Sequence, residues 1–189
     1  MELCGCRNKD ARHARRTMEL SDFIRHIPDF PKKGILFHDI MPMLQDPGAL
    51  RLAVDSLADY GRQRRVDIIF GAEARGFILG AALAYAMGAG FAAARKPGKL
   101  PWKVTRCEYD LEYGTDVLEM HTDAIKAGQR VLIHDDLLAT GGTAAAKVKL
   151  VEDAGGIVAG LAFIIELTEL GGRNRLAGYD VFSLLSYDV

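Results

Sequence analysis

The chain has 189 residues, 49% of them apolar and 26% charged, which is the ordinary composition of one folded domain long enough to bury a core without disulfides or a structural metal. Lysine plus arginine (24) against aspartate plus glutamate (25) leaves a formal net charge of -1, so no global basic field points to nucleic acid. The longest apolar stretches, 77–87 and 157–165, are too short to cross a bilayer and carry glycines, which excludes membrane-spanning helices along with collagen-like and disordered chains.

Residues 1–17 form a polar, arginine-rich arm (Arg7, Arg12, Arg15, Arg16) without the apolar core of a secretory signal, and Glu2 and Asp10 speak against an organellar transit peptide. The expectation is a cytoplasmic protein whose Cys4, Cys6 and Cys107 are reduced thiols, since no second Cys or His pair completes a zinc site. Residues 18–189 read as a single domain: Met18 could serve as a start, and deleting 1–17 is expected to leave activity intact. Residues 18–24 read as an amphipathic opening segment. Asp46-Pro47 is an N-cap followed by proline, and Leu50, Ala53, Val54, Leu57 and Ala58 then recur at the helical period.

Beyond that helix the pattern alternates. Residues 66–70 predict a short buried strand, 77–87 a helix stopped by Gly88, and 91–94 another strand. Residues 96–116 break the rhythm with Pro97, Gly98, Pro101, Gly114 and many charges, and read as a lid loop; Trp102 in it is assigned to packing. A strand at 131–134, a helix at 144–153, a long strand at 157–167 and a last strand at 181–185 complete the chain, with Glu166–Leu170 capping a short helix. Continuous apolar strands separated by helices indicate an α/β fold with a mostly parallel central sheet covered by helices on both faces.

The sharpest feature is the string from Val131 to Thr143, VLIHDDLLATGGT. An apolar strand leads into two adjacent carboxylates and then a Gly/Thr turn that feeds a helix. Ligands of open α/β sheets sit beyond the carboxyl ends of strands. There, Asp135 and Asp136 suit vicinal sugar hydroxyls or a hydrated Mg²⁺, and like charges side by side suit a sheet interior badly. Ala139, Thr140, Gly141, Gly142 and Thr143 offer close backbone approach, hydroxyls and a helix N-terminus to a phosphate. No Walker A sequence is present.

This string resembles the phosphoribosyl pyrophosphate (PRPP) motif of the type I phosphoribosyltransferases, in the form it takes in members acting on adenine. The likeness extends from about residue 27 to 187 through three further blocks. Pro28 to Ile40, an aromatic and proline-stiffened hood (27–40), resembles the base-binding segment of the family; the resemblance places the base among Leu36, Phe37, His38 and Leu137, with His38 standing where Arg or Lys is expected. Gly71 to Gly76, between a strand and a helix, resembles the pyrophosphate loop, and a non-proline cis peptide would fall at Glu73-Ala74; serine is commoner at 74. The stretch 95–116 resembles a flexible lid, with Arg95, Lys96 and Lys99 ahead of Glu112 and Tyr113.

The resemblance implies transfer of the 5-phosphoribosyl group of PRPP to adenine, giving AMP and pyrophosphate in purine salvage. Asp135 and Asp136 would hold the ribose and, through PRPP, Mg²⁺. Residues 139–143 would seat the 5′-phosphate, while Glu73, Ala74, Arg75, Lys96 and Lys99 would bind pyrophosphate. Glu112 would be the catalytic acid/base, with Tyr113 beside it in the lid. The family is typically a homodimer, in which Arg95 or Lys96 could reach the neighbouring site. An enzyme for hypoxanthine or xanthine would keep the PRPP cradle and change the hood, and a non-catalytic PRPP- or purine-sensing regulator is the reading from another class. His134, where the family has an apolar residue, reads as a satisfied core or edge histidine.

Overall fold

The structure, a computed structural model, describes residues 18–110 and 114–188. After a 3₁₀ turn at Leu20–Phe23 come β1 (Arg25–Pro28), β2 (Leu36–Asp39), α1 (Met41–Gln45) and α2 (Pro47–Arg62). The series continues with β3 (Ile68–Ala72), α3 (Arg75–Met87), β4 (Gly90–Ala94), β5 (Val104–Asp110) and β6 (Thr115–His121). It ends with β7 (Arg130–Leu138), α4 (Gly142–Asp153), β8 (Ile157–Leu167), a 3₁₀ turn at Thr168–Leu170, α5 (Gly172–Arg175) and β9 (Val181–Tyr187). The expected N-cap is in place: the Asp46 carboxylate accepts from the amides of Gly48 and Ala49, at 2.9 and 2.8 Å.

Five strands in the order β4-β3-β7-β8-β9 form one sheet, every pairing parallel. Alternation along these strands sends Ile69, Leu132 and Ile164 to a core shared with α2 and α3. Phe70, Ile133 and Phe163 point to a second core under α4, β5 and β6. From β3 the chain steps outward to β4 and later returns to β3's other side as β7. The crevice at this reversal, past the carboxyl ends of β3 and β7, is where such sheets bind ligands.

Several expectations change. The hood is a two-stranded antiparallel ribbon, β1 with β2, rather than a loop. The stretch 96–116 contains β5, which pairs antiparallel with β6 from Val104↔His121 to Asp110↔Thr115. In β5 charged Arg106 and Glu108 alternate with Cys107, which is buried, and Tyr109, a period-2 pattern obscured by its charges. Trp102 is 61% exposed and packs into no core. Residues 18–24 form a 3₁₀ turn rather than a full helix, and, as expected of an amphipathic segment, Leu20 and Ile24 pack into the core with α2 and α3.

Glu166 caps nothing: it lies buried, gripped by Arg173 through two 2.6 Å bonds and by the Ser183 hydroxyl at 2.9 Å. Cys107 is a free, buried thiol, whereas Cys4, Cys6, the arm 1–17, Glu112 and Tyr113 lie outside the described residues. Among the described residues no helix is long and apolar enough to cross a membrane.

Candidate active site

The reversal crevice opens into a cavity of about 350 Å³, bounded by Ala72–Arg75, residues 135–144, Lys96 and Tyr109. The loop after β3 carries a cis peptide at Glu73-Ala74, as the resemblance implies. The strand through the two acids runs to Leu138, four residues beyond the predicted end at 134. Two things carry it onward. Strand β8 continues alongside, pairing Leu137 with Ile165 and Leu138 with Glu166, and each carboxylate has its own cation. Lys147 Nζ lies 2.8 Å from Asp135 Oδ2, and Arg75 Nε lies 2.5 Å from Asp136 Oδ2. Lys147, fully buried on α4, and Tyr109, which lines the cavity, are site residues the sequence reading missed.

The turn and helix that follow are built for an anion. Gly141 sits at φ +82°, and a Cβ there would lie 2.6 Å from the Gly172 carbonyl oxygen, so only glycine fits. It is the N-cap of α4 and no side chain caps that helix, so the amides of 142–144 meet the cavity with the positive end of the helix dipole. On the opposite wall, a Cβ on Gly76 would stand 2.7 Å from Asp135 Oδ1; the bare backbone is what lets the acid and the start of α3 come together.

The expected pyrophosphate residues divide. Glu73 and Arg75 line the cavity and Lys96 stands at its edge, where its ammonium pairs with Asp116. Glu73 itself is occupied: Arg95 donates to it at 2.9 and 2.7 Å and the Lys96 amide at 2.6 Å. Burial raises its pKa, but these bonds and the Arg95 charge outweigh that and hold the carboxyl below the usual range. Within the chain the Arg95 guanidinium is thus held by Glu73. Lys99 does not line the cavity; its carbonyl accepts from Arg95 at 3.1 Å.

A second cavity, of about 100 Å³, adjoins the first through Arg75, Asp136 and Leu137. All four positions expected around the base, Leu36, Phe37, His38 and Leu137, line it, and Ile40, Ile165 and Leu167 complete an apolar slot. His38 is buried and stacked on Tyr187 at 4.4 Å between ring centroids. Its Nδ1 is 2.9 Å from Nδ1 of His26, so one of the two rings carries the shared proton. Burial, then the His26 charge, lowers its pKa, so the neutral ring is favoured.

Two ionisable groups at the cavity floor, Asp136 lining it and His134 beneath it, titrate in opposite senses. Burial and then the neighbouring Asp135 charge push Asp136 up to about 7, against the pull of Arg75. His134 is a core histidine, completely buried, but only half satisfied: its Nδ1 donates to the Ala162 carbonyl at 2.9 Å, while its Nε2 is buried without a hydrogen-bond partner. Burial lowers its pKa to about 4, against the attraction of Asp135 and with the repulsion of Lys147. Between about pH 6.5 and 4 the unfolded chain therefore takes up a proton at this residue that the native state refuses, so His134 costs stability as pH falls. His134→Leu is expected to remove that loss, roughly 3 kcal/mol across the interval at about 1.4 kcal/mol per pH unit. Thermal denaturation of both proteins from pH 7 to 4 measures it; parallel curves would refute the assignment.

Comparison with known proteins agrees with this geometry. A phosphoribosyl transferase domain is matched over residues 43–184. The chain is 62% identical over 170 residues to an adenine phosphoribosyltransferase of Solibacter usitatus, covering 90% of this chain and 98% of that one. The crystal structure of adenine phosphoribosyltransferase from Thermoanaerobacter pseudethanolicus superposes with a TM-score of 0.87 at 55% identity, covering 89% of this chain and 98% of that one. The Saccharomyces cerevisiae enzyme, complexed with an imino-altritol bisphosphate and adenine, superposes with a TM-score of 0.83 at 40% identity, covering 88% and 96%. A parallel sheet with two joined cavities at its point of reversal, the acid pair and glycine turn between them, and identity this high over nearly the whole chain together place the protein in the phosphoribosyltransferase family, on the branch of the adenine phosphoribosyltransferases.

Proposed function

We propose that the two joined cavities serve one reaction, the transfer of the 5-phosphoribosyl group of PRPP to adenine, giving AMP and pyrophosphate. The observation that carries this reading is that the apolar slot and the polar cavity share Arg75, Asp136 and Leu137. A flat base in the slot thus meets an anionic sugar in the cavity over Asp136. Leu36, Phe37, His38 and Leu137 hold adenine by its faces and by backbone groups. Asp135 and Asp136 accept the ribose hydroxyls. Residues 139–143 seat the 5′-phosphate on the N-terminus of α4, while the loop at Glu73-Ala74, Arg75 and Lys96 face the pyrophosphate.

As the bond from the ribose C1 to pyrophosphate breaks, positive charge develops on the sugar ring and negative charge on the leaving group. The protein's work is positioning and charge neutralisation, with Asp136 and Arg75 side by side at the junction. Glu112 manages the proton of the incoming purine, with Tyr113 beside it. The acids at the cavity are already engaged by Lys147 and Arg75, so Mg²⁺ fits as an ion carried by PRPP rather than one caged by the protein. When bound, it neutralises diphosphate charge.

A cytoplasmic homodimer is the proposed form. Ile78 (47% exposed) and Tyr85 (91%), on one face of α3, and Phe91 (37%) on the sheet-edge strand β4 present apolar surface suited to a second copy. A spectrophotometric assay with PRPP, Mg²⁺ and a panel of purines tests the reading. AMP is expected from adenine, and faster turnover of hypoxanthine or xanthine would overturn the assignment of the base.

A further inference from the structure

We propose that Lys147 is a positioning residue for the sugar donor: its ammonium ties the carboxylate that grips the ribose to the helix that seats the 5′-phosphate. The inference rests on the proposed roles of Asp135 and of the 139–143 turn.

Lys147 lies on α4 just beyond the phosphate-seating first turn and is fully buried. Its Nζ donates to Asp135 Oδ2 at 2.8 Å and to the His134 carbonyl at 3.0 Å, so both bonds land on β7 at the point where the strand enters the cavity. The other oxygen of Asp135 accepts the Asp136 amide at 3.0 Å. On its far side the backbone of Gly76 stands so near that a Cβ would come within 2.7 Å of that oxygen. Both carboxylate oxygens are thus fixed while Asp135 still lines the cavity. Ribose and 5′-phosphate belong to one ligand, so the spacing between Asp135 and the start of α4 must match that ligand, and the Lys147 side chain spans the two.

Replacing both members of a buried ion pair by packed apolar groups often costs no stability, whereas removing one member strands the other. An apolar side chain of similar length would fill the space under β7 equally well. What it would not do is hold the Asp135 carboxylate aimed at the cavity.

Lys147→Met, which keeps length and volume, provides the test, read by steady-state kinetics and thermal denaturation. Expected are a PRPP KM raised by about 10–100-fold, an unchanged adenine KM, kcat within about threefold, and a thermal midpoint below that of the parent, because Asp135 loses its counter-ion. In the double variant with Asp135→Asn, the PRPP KM should be no higher than with Asp135→Asn alone, because the two residues act as one unit. An unchanged PRPP KM in Lys147→Met, an equal rise of the PRPP and adenine KM values, or full additivity in the double variant would each overturn the proposal. If Lys147→Met proves insoluble, Lys147→Gln, which keeps a donor but no charge, is measured against the same split. Should Asp135→Asn itself leave the PRPP KM unmoved, the assignment of the ribose site fails; should it raise the KM while Lys147→Met does not, the role of Lys147 alone fails.

Discussion

Asparagine at Asp135 or at Asp136 is expected to lower kcat/KM for PRPP by about 10–100-fold in each case, and by about 10²–10⁴ in the double variant, while the two single variants move stability in opposite directions. A hydrogen bond from a ribose hydroxyl to a carboxylate is charge-assisted, and an amide oxygen keeps the geometry while losing most of that strength. The loss in activity follows from what the two acids share. Their stabilities diverge because their counter-ions differ: Lys147 has no exposure at all, whereas the side chain of Arg75 is 40% exposed. Asp135→Asn strands a buried ammonium and should lower the thermal midpoint. Asp136→Asn leaves behind a guanidinium that water can still solvate. It also removes a carboxyl whose pKa stands at about 7 in the folded protein against 3.8 in the reference state. Between those values the native state holds a proton that the unfolded chain releases, so this residue's contribution to stability is complete below about pH 4 and is lost as pH rises through 7. Asp136→Asn should therefore melt above the parent at pH 8 and converge with it near pH 4. Kinetics with varied PRPP and melting curves at the two pH values check both halves; an Asp136→Asn variant that is fully active, or no more stable at pH 8, would sink the assignment.

The same interval contains the opposite titration of His134, which costs stability on the acid side. In the parent the two slopes offset one another. Measured together, His134→Leu should grow more stable as pH falls from 7 to 4, while Asp136→Asn should grow less stable.

These couplings mark the limit of what the sequence discloses. Strand β8, at 157–167, is readable end to end, because a strand buried on both faces in a parallel sheet has nearly every residue apolar. The glycine turn and the acid pair are equally legible, since φ +82° at Gly141 and an uncapped α4 follow from local residue types. Strand β7 was cut short at 134, because two adjacent aspartates read locally as a surface. Their burial depends on Lys147 and Arg75, which come from two different helices. Lys147 resists recognition for the same reason: within the run Ala144 to Lys149 it looks like any solvated helical lysine. The one signal that could have found it is its helical phase, which sets it among buried Ala144, Val148 and Val151 rather than beside exposed Lys149. The β5–β6 ribbon is hidden by charge: its strands carry arginine and glutamate at alternate positions, and buried Glu119 is compensated by Arg106 and the Gly98 amide.

Glu112→Ala should separate chemistry from binding more cleanly than any change to the acid pair. The expected result is a kcat reduced by about 10²–10⁴, with PRPP affinity in direct binding measurements nearly that of the parent. The reasoning starts from the division of the site. The groups proposed to grip PRPP, at 73–75 and 135–143, lie on the main sheet and its helices, and Glu112 belongs to none of them. It falls between the paired ends of β5 and β6, Asp110 and Thr115, and the last described side chain before it, Tyr109, already lines the cavity. Glu112 is proposed to act on the proton of the base and not on the donor, so its removal should strip the proton-transfer step while the donor contacts stay intact. Glu112→Gln should fall nearly as far, because the amide cannot take the purine's proton, and a partial return of activity with added small carboxylates would identify the missing group chemically. A variant with normal kcat would remove Glu112 from the reaction, and one whose PRPP affinity collapses with its turnover would move it from proton transfer to donor binding.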